Sequence, residues 1–556
     1  MTTYESEPNM QSPLTSSLIR AIRNHTLIFL FSACYSLAAT AADSSWPQQE
    51  VGASAAGFSE DGITQLDNAM RDIVGNQDVA GMVWLLAKDG KVATFKHAGT
   101  ARIEDQAAMT QDSLFRIYSM TKPVTGVALM MLWEEGHWEF DDPVSKFIPE
   151  FSDLKVLVDY DDNGNVELEE LERQPTMREL LNHTAGFGYG LGGSDPVNTA
   201  FREKMVLASS NLDELVDKVS DIPLLYQPGE QWYYSVAVDI QGYIVQKISG
   251  MPFGEFLRTR LFEPLDMMDT RFFVQQQDQE RFAEVHYWDE ERQRLAQQPH
   301  RPDRPSYLDP NRLESGGGGL VSSTHDYARF IQMLVNGGEL EGVRILTPES
   351  VRIMRTDSLT GEEDMSRAIG GVGNPGVGFG VDFAVTYDPQ AAGSPAAPGV
   401  YNWAGAAGTS FWIDPVNDMF WLNMIQAQGP RRPGAANLGA VARNLIYQTL
   451  SDQGDSIDMA NKLGATIIAG SVDSQEKTEK LAADKNYPFA FGMTKTEAET
   501  LDAWYQQERE FIQPSEFIIG SDGKVLFSSY SDGPVGRMDA KETLSLIQYM
   551  NEQKGK

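Results

Sequence analysis

Cysteine is almost absent. The 556-residue chain has one, Cys34. That excludes an internal disulfide framework, thiolate zinc sites, iron–sulfur clusters and C-x-x-C redox chemistry together. Positive charge is also scarce, with 45 Lys+Arg against 79 Asp+Glu and a formal net charge of −34. Proteins that track phosphates need clustered Lys and Arg, so a nucleic-acid partner is not expected. An anionic membrane surface would repel this chain. After the first 42 residues no apolar run reaches the ~18 residues that a spanning helix needs. What remains is a globular composition, with 41% hydrophobic and 22% charged residues.

Residues 1–42 read as an export signal. Arg20 and Arg23 precede an apolar run over 27–37, and Ala39-Thr40-Ala41 offers a small-residue cleavage site. The expected location is therefore periplasmic or secreted, with no stable membrane span after cleavage. Residues 43–450 form the first large body. It opens with a helical pattern over 62–74. A hairpin follows over 81–87 and 92–99, turning at Asp89-Gly90. The Pro- and Gly-rich stretch 371–399 reads as surface loops. Strands are expected at 400–403, 410–414 and 419–426, with a last helix over 435–450. Strands at both ends with helices between them imply an α/β or α+β fold whose sheet joins distant parts of the chain. Residues 451–556 alternate helix and strand as a second, smaller α/β unit, with a hairpin turning at Asp522-Gly523.

There is no G-x-S-x-G, so the hydrolase elbow that motif marks is not supported. Another nucleophile arrangement is present. Ser119-Met120-Thr121-Lys122 opens an apolar helical run, and residues three apart share one helical face. A lysine amine beside a serine hydroxyl can take its proton if burial lowers the amine pKa. The S-x-x-K pattern occurs four times, from Ser119, Ser152, Ser474 and Ser521, so spacing alone selects none of them.

Context selects Ser119. The segment Ser119-Met120-Thr121-Lys122-Pro123-Val124-Thr125 resembles the active-site segment of the serine β-lactamase and penicillin-binding-protein superfamily. It is most similar to the class-C-like serine hydrolases, including the family VIII carboxylesterases. Further segments follow in that family's order: Leu180-Leu181-Asn182-His183-Thr184-Ala185-Gly186, Trp232-Tyr233-Tyr234-Ser235-Val236, Ser315-Gly316-Gly317-Gly318-Gly319-Leu320 and Trp403-Ala404-Gly405-Ala406-Ala407-Gly408-Thr409. The resemblance covers about residues 58–450. It implies a β-lactamase/transpeptidase-like fold, an antiparallel sheet flanked by a helical region.

The resemblance also implies roles. Ser119 is the nucleophile, Lys122 its partner and general-base candidate, and Tyr234 the second proton-transfer group. Which of Lys122 and Tyr234 takes the first proton is left open. The oxyanion hole is implied to be the backbone N–H groups of Ser119 and Ala406, and the substrate wall Trp403, Gly405 and Val236. His183 is implied to be structural, and Tyr233 is the competing tyrosine. The glycines 316–319 read as close backbone approach, because no Lys-Ser/Thr follows them to make a phosphate loop. Two departures bear on substrate. Trp403 stands where β-lactamases and transpeptidases usually carry Lys or His, and Val236 where Asn is common. Both losses point to small or medium neutral esters, hence a carboxylesterase acting through an acyl-serine. The alternatives are a β-lactamase or D-amino-acid peptidase, an acyltransferase, and a catalytically silent binding protein. The expected partner is a small-molecule ester or amide.

Two further patterns stand apart. Residues 159–170 fit an EF-hand loop, with oxygen-bearing side chains at positions 1, 3, 5, 9 and 12 and glycine at 6. The strand-like lead-in 154–158 favours an acidic hairpin turning at Asn163-Gly164 instead. No metal and no cofactor is expected. The C-terminal unit resembles the later half of a peroxiredoxin or thioredoxin-like domain, through Ala469-Gly470-Ser471-Val472-Asp473-Ser474, Gln513-Pro514-Ser515-Glu516-Phe517-Ile518-Ile519 and Ser531-Asp532-Gly533-Pro534-Val535-Gly536-Arg537. It lacks the cysteine loop, so peroxidase chemistry is excluded. Docking or self-association through this unit is the expected use.

Overall fold

The computed structural model describes residues 46–47, 50–161, 165–299 and 305–450, and beyond these only short strand segments between 469 and 530. Eight strands form one antiparallel sheet: β1 (Gly81–Lys88), β2 (Lys91–Arg102), β3 (Ala107–Ala108), β4 (Val377–Phe379), β5 (Ala384–Thr386), β6 (Val400–Ala404), β7 (Ser410–Asp414) and β8 (Met419–Ile425). Their spatial order is β4-β5-β6-β7-β8-β1-β2-β3. The central seam is β1 against β8, with Met82 opposite Ile425 and Lys88 opposite Met419. The first hairpin therefore closes onto the last strand.

Five helices matter for the site: α1 (Glu60–Gly75), α2 (Thr121–Glu134), α3 (Ala237–Ser249), α4 (Thr324–Val335) and α5 (Leu438–Thr449). β1 is buried from Gly81 to Ala87 without alternation, because helices cover both faces of the sheet. On one face, Leu66, Met70 and Ile73 of α1 and Ile446 of α5 share a core with Met82, Trp84, Leu86, Trp412 and Trp421. On the other, the Tyr327 ring of α4 meets Phe411 of β7 at 5.5 Å. The start of α1 is set by Ser59, whose Oγ accepts from the Gly62 N–H at 3.2 Å. Glu60 and Asp61 fill the first turn, where negative charge suits the helix dipole.

α2 and α3 lie at the centre of the helical region. α2 is buried from Thr121 to Leu132, so its pattern is apolar all round rather than amphipathic. Two strands, β4 and β5, run within the stretch expected to be surface loops. Each has only three residues, too short for an alternation to show, and β4 is flanked by Gly376 and Gly380.

Lys155–Tyr160 and Val166–Glu170 pair as the two antiparallel strands of the acidic hairpin. Asp159 faces Glu167 and Tyr160 faces Val166 across its two strands. An EF-hand needs its twelfth residue to fold back on the first. Here Glu170 accepts from Lys155 Nζ at 2.6 Å instead. Among the described residues no cluster of three or more His, Cys, Asp or Glu side chains could hold a metal ion. No helix among them is long and apolar enough to cross a membrane. The export signal lies outside the described residues. Towards the C-terminus, Ser515–Ile519 and Val525–Tyr530 pair as antiparallel strands, as expected of the hairpin. The thioredoxin-like resemblance otherwise falls outside the described residues.

Candidate active site

Ser119 sits in a short 3-10 turn, Tyr118–Met120, that runs directly into α2. At a helix start the first N–H groups have no intrahelical acceptor. Three hydrogen bonds fix this turn. The Ile117 N–H donates to the Leu320 carbonyl at 3.1 Å. The Tyr327 hydroxyl donates to the Met120 carbonyl at 2.8 Å. The Leu320 N–H donates to Thr121 Oγ1 at 3.1 Å. Tyr118, next to the serine, has φ of +43°, a left-handed conformation that costs a bulky residue about 1–3 kcal/mol.

Lys122, three residues on, is fully buried. Its Nζ donates to the Gly317 carbonyl at 2.5 Å and to the Tyr189 hydroxyl at 3.3 Å. It lies 4.5 Å from the centre of the Tyr234 ring. Burial works against its charge, but the phenols of Tyr189 and Tyr234 and the Asp239 carboxylate outweigh burial and hold its pKa above the ordinary lysine value. Resting Lys122 is thus an ammonium. The neutral amine that burial alone would favour is not what the surroundings favour. Burial raises the Tyr189 phenol, against the pull of the neighbouring Lys122 charge.

The two adjacent tyrosines separate cleanly. Tyr233 points away from the lysine, and its hydroxyl accepts from Asn198 Nδ2 at 2.9 Å. Tyr234 lies in an aromatic enclosure. Trp232 stacks on it at 6.3 Å, and His183, Tyr189 and Trp403 meet it at 5.1, 5.5 and 5.7 Å. His183 is fully buried, with Nδ1 3.0 Å from Ser235 Oγ. Burial, then the Lys122 charge, hold its pKa well below the ordinary value, so it is neutral. It packs against Tyr234 rather than reaching a nucleophile.

The turn after β6 brings the remaining backbone. Gly405 approaches so closely that a Cβ there would collide with the Ile117 carbonyl and with Thr409 Oγ1. The Ala406 residue is exposed, and its N–H makes no hydrogen bond within the described protein. That suits a donor kept for an incoming oxyanion. Trp403 is 5% exposed and packs on Phe379 at 5.4 Å. Val236, grouped with the substrate wall on sequence grounds, is fully buried as the residue that starts α3. Its side chain belongs to the core. The glycine segment is a close approach: a Cβ on Gly317 would lie 2.5 Å from Asp239 Oδ2 and 2.8 Å from the Tyr189 hydroxyl.

The Beta-lactamase family profile matches residues 66–444. The chain belongs to the Beta-lactamase family. Members of this family are serine hydrolases, and this chain is an enzyme of that kind. It is 35% identical to Protein Rv1367c of Mycobacterium tuberculosis over 362 residues, covering 64% of this chain and 88% of that one. It is 30% identical to Esterase EstB of Burkholderia gladioli over 367 residues, covering 63% of this chain and 86% of that one. In fold it is similar to EstCE1, a hydrolase with promiscuous acyltransferase activity, with TM-score 0.57 and 22% identity over 70% of this chain and 99% of the other.

This Beta-lactamase family site contains groups that sequence reading did not pick out. Tyr189 and the Gly317 carbonyl are direct partners of Lys122. Asp239 is fully buried, and its Oδ1 accepts from Ser315 Oγ at 2.5 Å and from the Gly317 N–H at 3.1 Å. A faint signal existed for Asp239, a lone acid in an otherwise apolar helix start.

Proposed function

We propose that the protein is an exported carboxylesterase of the Beta-lactamase family, acting on small or medium neutral acyl esters through an acyl-enzyme on Ser119. The observation that carries this reading is the convergence on Lys122 of the Ser119 turn, the Tyr234 enclosure and the glycine segment. The neutral-ester preference is supported by Trp403, whose ring packs on Tyr234 where a cation would otherwise receive a substrate carboxylate.

In this reading Ser119 Oγ attacks the ester carbonyl. Lys122 and Tyr234 act as a pair that gives up one proton before it can accept the serine proton. Tyr234 receives it, because Lys122 is held as an ammonium, and later returns it to the leaving alcohol. The tetrahedral oxygen is held by the N–H groups of Ser119 and Ala406. Water then releases the acid. The chain divides into a signal over 1–42, this hydrolase domain over 43–450, and a cysteine-free thioredoxin-like unit over 451–556 that serves docking or self-association.

The test is hydrolysis of p-nitrophenyl butyrate and nitrocefin by the wild type and Ser119→Ala. Ester turnover lost in the variant, with little nitrocefin cleavage, is the expected result. Strong nitrocefin cleavage would replace the esterase reading by a lactamase one. Ester products of an added alcohol would make it an acyltransferase. No Ser119-dependent turnover of any of these would leave a binding protein.

A further inference from the structure

The acyl chemistry above leaves two buried carboxyl groups without a role. Asp239 lies in the first turn of α3, and Asp382 in the turn between β4 and β5 with φ of +58°. Both are fully buried. They are held differently. Asp239 Oδ1 receives two donors, the Ser315 hydroxyl and the Gly317 N–H. The carbonyl of that same glycine receives the Lys122 ammonium. Asp382 receives one neutral donor, Gln241 Nε2 at 3.3 Å. Its second oxygen faces α2, 2.8 Å from where a Cβ on Gly126 would sit.

We propose that Asp239 is the positioning residue and counter-ion of Lys122, acting through the Gly317 backbone. A buried ammonium is stable only with a negative charge near it. Two donors on Oδ1 favour the ionised form of Asp239. Burial raises both carboxyl groups, but the Ser315 hydroxyl, the Lys122 charge and the Gly317 N–H pull Asp239 back towards ionisation, whereas Asp382 is driven well above its usual range and stays neutral. Asp239 thus carries the balancing charge. Residue 317 lies between the two ions with its N–H on the carboxylate and its carbonyl oxygen on the ammonium. Both bonds are charge-assisted, and each fixes the other. Gly317 is required because a Cβ would fill the space beside Asp239 Oδ2 and the Tyr189 hydroxyl. The arrangement holds Nζ in one place beneath the Tyr234 ring.

The consequence is a pH dependence. The groups facing Lys122 are Tyr189, Tyr234 and His183 from the loops, Asp239 from α3 and Asp382 from the β4–β5 turn. His183 and Asp382 are neutral. The Lys122–Tyr234 pair must lose one proton to become active, and the Asp239 charge opposes that loss. Removing the charge moves the rising limb of the pH profile to lower pH.

The inference rests on the Ser119–Lys122–Tyr234 reading, so the readout is the rate at which a fluorophosphonate labels Ser119 from pH 5 to 10. Asp239→Asn keeps an acceptor oxygen and removes the charge. Its rising limb is expected at least about half a pH unit lower, with a plateau about tenfold or more below wild type. Ser315→Ala removes one donor, weakens the charge and moves the limb the same way by less. Asp382→Asn, removing a neutral acid, leaves the limb in place. A folded Asp239→Asn protein with an unmoved limb would overturn the proposal, as would an equal shift in Asp382→Asn. Should Asp239→Asn fail to fold by circular dichroism, Ser315→Ala decides, and an unmoved limb there overturns it. Wild type that never labels would sink the Ser119 reading itself, an outcome distinct from labelling with an unmoved limb.

Discussion

The Lys122 ammonium donates to the Gly317 carbonyl oxygen at 2.5 Å. The two residues come from distant segments, one at the start of α2 and one in a run of four glycines. Their contact explains why both segments are needed at one site. A fully buried lysine must place its charge somewhere. This one has a carbonyl dipole, two phenols and, one peptide further on, a carboxylate.

The tyrosines at 233 and 234 test the assignment of roles. Tyr234→Phe removes the proton-transfer group and is expected to lower kcat by about 10²–10⁴-fold. Tyr233→Phe removes one half-buried hydrogen bond to Asn198, and less than about threefold is expected, since such a bond contributes about 1 kcal/mol or less. Steady-state kinetics on a p-nitrophenyl ester separates them. Equal losses would mean the two residues had been misassigned.

Gly317→Ala places a methyl group against Asp239 Oδ2 and the Tyr189 hydroxyl. Overpacking of this kind costs about 1–3 kcal/mol. Displacing the partners of Lys122 is expected to lower kcat more than about tenfold. Denaturant melts and kcat together check this. Wild-type values for both would show that the glycine approach has slack.

His286 predicts a pH dependence of stability. It is 2% exposed, with Nε2 unpartnered. Burial lowers its pKa from 6.5 to about 4. The unfolded chain therefore binds this proton first. The stability from neutral His286 is present above pH 6.5 and is lost as pH falls towards 4, up to about 3 kcal/mol. Unfolding midpoints at pH 7 and 4.5 should differ less in His286→Gln than in wild type. Equal differences would show that His286 does not carry this dependence.

The hairpin over 155–170 makes a prediction about calcium. With Glu170 tied to Lys155, the twelfth-position carboxylate of an EF-hand is not turned back to the first. Millimolar calcium should leave the melting temperature where EDTA leaves it. A rise on adding calcium, abolished by Asp159→Ala, would contradict the hairpin as the working state.

Much of this architecture was legible in the sequence, and the reason differs by element. The hairpin of β1 and β2 shows through Asp89-Gly90, and α2 through a long apolar run after Ser119. The strands β6 to β8 and helix α5 show through their length and bounding turns. The edge strand β4 and its neighbour β5 were hidden, because three residues carry no period. Ser119, Lys122 and Tyr234 could be picked out because ordered motifs surround them. Tyr189 and Asp239 could not, since their importance comes only from tertiary contact with Lys122. The state of that lysine was also out of reach. Burial, which sequence can suggest, pulls one way, and neighbours that only the fold assembles pull harder. Val236 shows the converse: a motif position drew it into the site, while the fold places its side chain in the core.

The most direct test of the central claim is to trap the acyl-enzyme. Wild type and Ser119→Ala would be mixed with an activated butyryl ester, quenched in acid within milliseconds, digested and read by mass spectrometry. The account predicts one butyryl group on the peptide holding Ser119 in wild type and none in the variant. A butyryl group on any other residue, or turnover of the ester that persists in the variant, would contradict it.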